Sequence, residues 1–145
     1  MKLSSPAFSH NGYIPKKFTC EGEDVSPALN LEGIPEGTKG LVLIVDDPDA
    51  TAKTWVHWIV FDIPPASVIE EGVIPGVQGE NDFGRLDYGG PCPPSGTHRY
   101  FFKAYALDRI LGLAEGIDKA GLEKAMEGHI LARAELIGFY QRGKR

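Results

Sequence analysis

Asp87-Tyr-Gly-Gly-Pro-Cys-Pro-Pro-Ser-Gly-Thr-His98-Arg-Tyr-Phe-Phe-Lys-Ala-Tyr-Ala106 runs a stiff loop straight into an aromatic strand. Pro91, Pro93 and Pro94 fix φ and remove backbone donors, while Gly89, Gly90 and Gly96 admit turns and close approach. From His98 the side chains alternate, with His98, Tyr100, Phe102 and Ala104 on one face and Arg99, Phe101, Lys103 and Tyr105 on the other. That period predicts a strand that carries an imidazole and a phenol to the same side of a rigid loop mouth, as a pocket wall requires.

Outward from this stretch the chain reads as mostly β. Gly40 to Val45 is a continuous apolar run, predicting a central strand buried on both faces, and it stops at Asp46-Asp47-Pro48-Asp49. Carboxylates so close together repel unless paired or hydrogen-bonded, so the cluster marks either a site or a turn in which aspartates cap backbone N–H groups. Trp55 to Ile63 alternates as a second strand, with Trp55, His57, Ile59 and Phe61 expected on one face and Val56, Trp58 and Val60 on the other. Residues 64–90 form a Gly/Pro-rich excursion, long enough to expect function there. Asp82-Phe83-Gly84 matches a kinase magnesium motif, but the chain has neither the Gly-rich loop nor the catalytic loop of a kinase. Asp118 to Glu127 reads as a helix capped by Asp118, buried through Leu122, Ala125 and Met126, and stopped at Gly128. Ala132 to Tyr140 fits either a second helix or a strand with small residues on one face, and the strand is favoured. Turn signals at Ser4-Ser5-Pro6, Asn11-Gly12, Gly22 and Ser26-Pro27 leave room for short strands before Leu31.

At 145 residues, with 42% hydrophobic and 24% charged residues, a single domain over 1–145 with a full core is expected. A net charge of −5 argues against nucleic acid as a partner. No window is apolar enough to cross a bilayer, and the first residues lack a signal-peptide core, so the expectation is a cytoplasmic protein without stable membrane insertion. Cys20 and Cys92 are too few for a disulfide scaffold or zinc ribbon, and read as buried thiols, with a single disulfide as the alternative.

Thr19-Cys20-Glu21-Gly22 with Ser26-Pro27, Asp47-Pro48-Asp49-Ala50, Trp55-Val56-His57-Trp58, Asn81-Asp82-Phe83-Gly84, and Gly90-Pro91-Cys92-Pro93-Pro94 leading to His98-Arg99-Tyr100 occur in that order. In these motifs the chain resembles the bacterial and archaeal branch of the phosphatidylethanolamine-binding proteins, also called Raf kinase inhibitor-like proteins. The resemblance implies a large central antiparallel sheet packed on a smaller sheet, with one or two short helices. It also implies a cavity for phosphate-like anions lined by Asp47, Asp49, Trp55, His57, the Gly90 to Pro94 loop including Pro93 and Pro94, His98 and Tyr100. A protein kinase or protease as partner, and a homodimer, are further implications of the resemblance.

The residues themselves add constraints. Carboxylates repel anions, so Asp47 and Asp49 are expected to orient His57 or His98 by accepting an imidazole N–H, raising its pKa. The N–H groups of Gly89, Gly90, Ser95 and Gly96 are the candidates for an anion nest, and Arg99 is expected in a structural ion pair. The reading is a small binding or regulatory protein for a phosphorylated or other anionic ligand, with no cofactor. A hydrolase using His57 or His98 as general base on a phosphate or acyl ester is the alternative, for which no activated nucleophile is evident. A metal bound by His57, His98, Asp47 and Asp49 is weighed as well, without a ligand spacing to support it.

Overall fold

A computed structural model describes residues 1–143. Its strands are β1 (Lys2–Ser4), β2 (Gly12–Tyr13), β3 (Leu29–Glu32), β4 (Gly40–Asp47), β5 (Trp55–Ile63), β6 (Val68–Ile69), β7 (Val77–Gln78), β8 (His98–Leu107) and β9 (Ile130–Tyr140). A helix, α1 (Lys119–Met126), lies between β8 and β9. Six strands form one sheet in the order β2-β9-β8-β4-β5-β7, and β1-β3-β6 form a second. The fold is mostly β, as expected. The large sheet is antiparallel except at its edge, where β2 runs parallel to β9.

Every residue of β4 is buried, because it lies between β5 and β8 and both faces are covered. On one face Leu41, Leu43, Val45, Tyr100 and Phe102 pack against Leu3, Leu29, Leu31 and Ile69 of the small sheet. On the other, Val42, Ile44, Ile59 and Phe61 meet Leu122 and Met126 of α1. The helix is held as its sequence predicts: Asp118 accepts from the N–H of Gly121 at 2.8 Å, and Gly128 leaves it at φ +79°. Gly138 on β9 is a close-approach position, where a Cβ would lie 2.6 Å from Ile14 Cγ1 and 2.7 Å from Phe8 Cε2.

The simple alternation expected for β5 is broken twice, near Asp62 and, at the pocket end, at His57. Val45 pairs with Trp58 and Asp46 with Val56, so His57 and Trp58 together oppose one residue of β4. Such a bulge re-aims side chains locally. Val56, Ile59 and Phe61 share the helix-covered face, whereas Trp58 and Val60 face the small sheet. His57 turns with Trp58, away from Ile59 and Phe61, and packs edge-on against Tyr100 with ring centroids 5.2 Å apart. The expectation that His57 shares a face with Ile59 and Phe61 is therefore corrected by a single extra residue in the strand.

Cys20 and Cys92 are joined in a disulfide, with Cα atoms 5.5 Å apart across 72 residues of sequence. The buried-thiol reading fails because the loop before β8 folds back against residues 16–24, where the Cys20 N–H donates to the Pro91 carbonyl at 3.1 Å.

Candidate functional site

The end of β4 resolves the carboxylate cluster by sending its members in three directions. Asp46 and Asp47 are neighbours on a strand and so point to opposite faces. Asp46 goes to the helix side, where its Oδ2 accepts from Lys103 Nζ at 3.0 Å and Lys119 Nζ at 2.9 Å. Asp47 goes to the other face. Its Oδ2 accepts from His98 Nδ1 at 2.6 Å, and its Oδ1 from the Asp49 N–H at 2.8 Å. Asp49 turns outward to Arg99, accepting from Nη2 at 2.9 Å, Nε at 3.0 Å and the backbone N–H at 2.9 Å. The Arg99 guanidinium hydrogen bonds hold the Asp49 carboxyl below the usual range.

His57 is fixed by an exchange with Gly89. Its Nδ1–H donates to the Gly89 carbonyl at 2.6 Å, and the Gly89 N–H donates to the His57 carbonyl at 3.0 Å. A carbonyl can only accept, so the Nδ1–H tautomer is set and Nε2 is the nitrogen left for a ligand. Burial pushes the His57 pKa down, against the opposing pull of the Gly89 hydrogen bond and the Asp47 charge. The expected rise is thus reversed for His57, because desolvation outweighs its polar neighbours. His98 is anchored in the same sense by Asp47, again leaving Nε2.

Tyr100 lies between the two imidazoles, stacked on His98 at 6.4 Å. Its hydroxyl is buried and has no hydrogen-bond partner among the described residues. Burial, followed by the Asp47 charge, pushes the phenol pKa far above its ordinary value, so it is a hydroxyl donor throughout the biological pH range.

These groups converge on a cavity of about 370 Å³. Of the nine residues expected at the site, Asp47, Trp55, His57, Pro93, Pro94, His98 and Tyr100 line it. Asp49 and Gly90 lie outside its wall: Asp49 is taken by Arg99, and the Gly90 N–H donates to Asp24 Oδ1 at 2.8 Å. A Cβ at Gly90 would meet that carboxylate at 2.3 Å and the Phe18 carbonyl at 2.4 Å, so glycine is required there. The anion nest expected at Gly89 and Gly90 is corrected as well, since both N–H groups are spent within the protein. Ser95 and Gly96 belong to a neighbouring hollow beyond Pro93 and Pro94, beside Glu21 and Arg142. Among the described residues, no group of three or more His, Cys, Asp or Glu side chains is arranged to hold a metal ion.

Lining residues that sequence reasoning did not place at the site are Ala50, Thr51, Ala52 and Phe83, while Cys92 enters with the expected Gly90 to Pro94 loop. Phe83 closes the mouth, with its ring 5.6 Å from Trp55 and 5.3 Å from His57. It is held there by Asn81, whose Oδ1 accepts from the N–H groups of Phe83 and Arg85 at 3.0 Å while its Nδ2 donates to the Asp87 carbonyl at 2.8 Å. A large aromatic residue beside an Asx-turn residue in a long loop was the available signal.

A sequence model of the family described as phosphatidylethanolamine-binding protein matches residues 4–141. A protein of Methanothermobacter thermautotrophicus, named only as a UPF0098 protein, is 52% identical over 99% of this chain and its own full length. One of Pyrococcus horikoshii with the same family name is 50% identical over 98% of this chain and 77% of its own. Among solved structures, a Chlamydia trachomatis protein described as a putative phosphatidylethanolamine-binding protein homolog superimposes with a TM-score of 0.94 at 47% identity, covering 97% of both chains. Escherichia coli YbcL, described as a member of the mammalian family, superimposes at 0.88 with 31% identity over 97% of each chain.

Proposed function

The chain belongs to the phosphatidylethanolamine-binding protein family, and on that premise we propose that it is a small-ligand binding protein whose pocket takes the anionic head of a phosphorylated or similarly charged molecule. The observation that carries this reading is the buried, unpartnered Tyr100 hydroxyl between two imidazoles whose Nδ1 atoms are already committed. Tyr100 offers one donor. His98 offers a second through Nε2 whenever the imidazole is protonated, and the Asp47 carboxylate then balances its charge. Trp55, Phe83, Pro93 and Pro94 supply apolar walls for the body of the ligand.

The test is calorimetric titration with phenyl phosphate at about pH 5.5 and 8.5, with phenyl sulfate beside it because its charge is constant over that range. Both should bind more tightly at the lower pH, where an imidazole gains the donor that an anion needs. Equal affinity for phenyl sulfate at the two values would remove the histidines from anion binding.

A second reading has one observation in its favour. The 2.6 Å contact between His98 Nδ1 and Asp47 Oδ2 is that of an oriented general base, which a hydrolase of phosphate or acyl esters would use. Turnover of such esters that vanishes in His98→Ala, with circular dichroism unchanged, would promote the hydrolase over the binding protein. A role as a kinase or protease modulator would use the stiff Pro91 to Pro94 rim as its contact. That role and homodimerisation are checked by pull-down and by light scattering.

A further inference from the structure

Residues 91–97 belong to neither sheet, and among them Cys92, Pro93 and Pro94 form one wall of the pocket. Three prolines deprive this wall of donors, so it is held by ties to other segments. The Gly90 N–H reaches Asp24, and the Pro91 carbonyl accepts from the Cys20 N–H. Arg142 donates to the carbonyls of Pro93 at 2.8 Å and Pro94 at 3.3 Å. The disulfide to Cys20 is the covalent tie.

Its two ends stand in different places. Cys20 is exposed, whereas Cys92 is half-buried and lines the ligand cavity. A thiolate from solvent therefore has its approach at Cys20, and exposed disulfides are the ones that exchange. We propose that Cys20–Cys92 is a thiol-exchange site that sets the state of the pocket wall, and that its reduction by a dithiol frees Pro91 to Pro94 and uncovers the Cys92 thiol as a modification site inside the pocket.

The chemistry balances with the dithiol as the two-electron reductant. One of its thiolates attacks Cys20 Sγ, the S–S bond breaks, and its electron pair leaves on Cys92 Sγ as a thiolate that takes a proton from water. The second thiolate of the reductant then attacks its own sulfur in the mixed disulfide. This releases Cys20 as a thiolate and the reductant as a cyclic disulfide. Oxidation by a disulfide of the same class runs the sequence backwards. Reduction leaves the sheets and their two cores untouched, since neither cysteine packs in them.

The inference concerns the wall itself, and only its consequence for affinity rests on the binding reading above. The test treats the native protein with dithiothreitol and follows amide exchange by mass spectrometry, together with iodoacetamide labelling. Exchange in residues 88–97 should rise about tenfold or more, as a local opening does, while β4 and β8 stay protected. Both cysteines should label, and bound phenyl phosphate should slow labelling of Cys92 but not of Cys20. The double variant Cys20→Ser with Cys92→Ser should show the fast loop exchange without reductant. A disulfide that resists dithiothreitol until the sheets unfold, or loop exchange unchanged after reduction, overturns the proposal. Phenyl phosphate that binds in neither redox state, with the loop still loosened, strikes the binding reading alone.

Discussion

Asp46 and Asp47 are consecutive residues, both buried, and both answered by a basic side chain, yet they meet opposite fates. Asp46 is locked on the helix-covered face by two lysines that close over it from β8 and the start of α1. Burial works against the Lys119 ammonium, but the hydrogen bond and charge of Asp46 outweigh it and leave the lysine pKa raised. Asp47 has one imidazole, and the far nitrogen of that ring faces a cavity. Permanent charges on the first face make a brace. A titratable partner next to open space makes the second adjustable, and the difference comes from the strand pleat alone.

The contrast breaks most visibly at Asp46. Asp46→Asn leaves two ammonium groups around an uncharged amide, and should cost about 3 kcal/mol, the low end for a broken buried pair, since both lysines are about a quarter exposed and can swing toward water. Urea denaturation measures it, and a loss under about 1 kcal/mol would show that Asp46 is no brace. On the pocket face the effect should appear in binding. His98→Ala should weaken phenyl phosphate by about 1–3 kcal/mol, the scale of a charge-assisted hydrogen bond, with the fold retained. Calorimetry showing no change would place the anion elsewhere.

Asp47→Asn is expected to be milder for stability, at about 1 kcal/mol, because the amide oxygen can still accept from the Asp49 N–H. It should change the chemistry instead. An Asn Nδ2–H facing His98 Nδ1 favours the opposite tautomer, so Nε2–H becomes a donor in the neutral ring and phenyl sulfate binding at about pH 8.5 should strengthen. Unchanged affinity at that pH would place the anion away from His98.

The last contrast needs no substitution on the helix side. His57 has its pKa lowered by burial, so the unfolded chain binds more protons than the folded one as pH falls below the ordinary histidine value of about 6.5. Stability from this group is complete above that value and declines with acid until the folded pKa is reached. His57→Gln keeps a donor for the Gly89 carbonyl and should flatten the decline, which denaturation at a series of pH values would reveal.

The strands that place the site were legible because their signals were local. The apolar run of β4, the alternation of β8 and the Asp118 cap each depend on a few adjacent residues. So did the pairing of Arg99, since Arg99 alternates away from His98 and Tyr100. The bulge at His57 was not legible, because a register shift is set by how Asp46 and Val45 pair across the sheet and leaves no mark within Trp55 to Ile63. The disulfide was hidden for the same reason. Two cysteines separated by 72 residues say nothing of whether their loops meet. Likewise Gly89 and Gly90 showed where backbone could come close, but not that His57 and Asp24 would claim their N–H groups.

The parallel pairing of β2 with β9 has a consequence for how the chain is made. Gly12 and Tyr13 find their partners only at Gly138 and Phe139, Asn11 donates to the Ile137 carbonyl, and Glu21 is held by Tyr140 and the Gly143 N–H. On a ribosome β1 can pair with β3 soon after it emerges, but residues 11–13 and Glu21 leave the exit tunnel long before these distant partners exist. Contacts so distant in sequence are slow to close. β4, β5 and β8 can form their ladder as they emerge, and Cys20 can meet Cys92 at that stage. The Arg142 hold on Pro93 and Pro94 comes only after β9 has emerged, so this tie on the pocket wall is made later than the ladder and the disulfide.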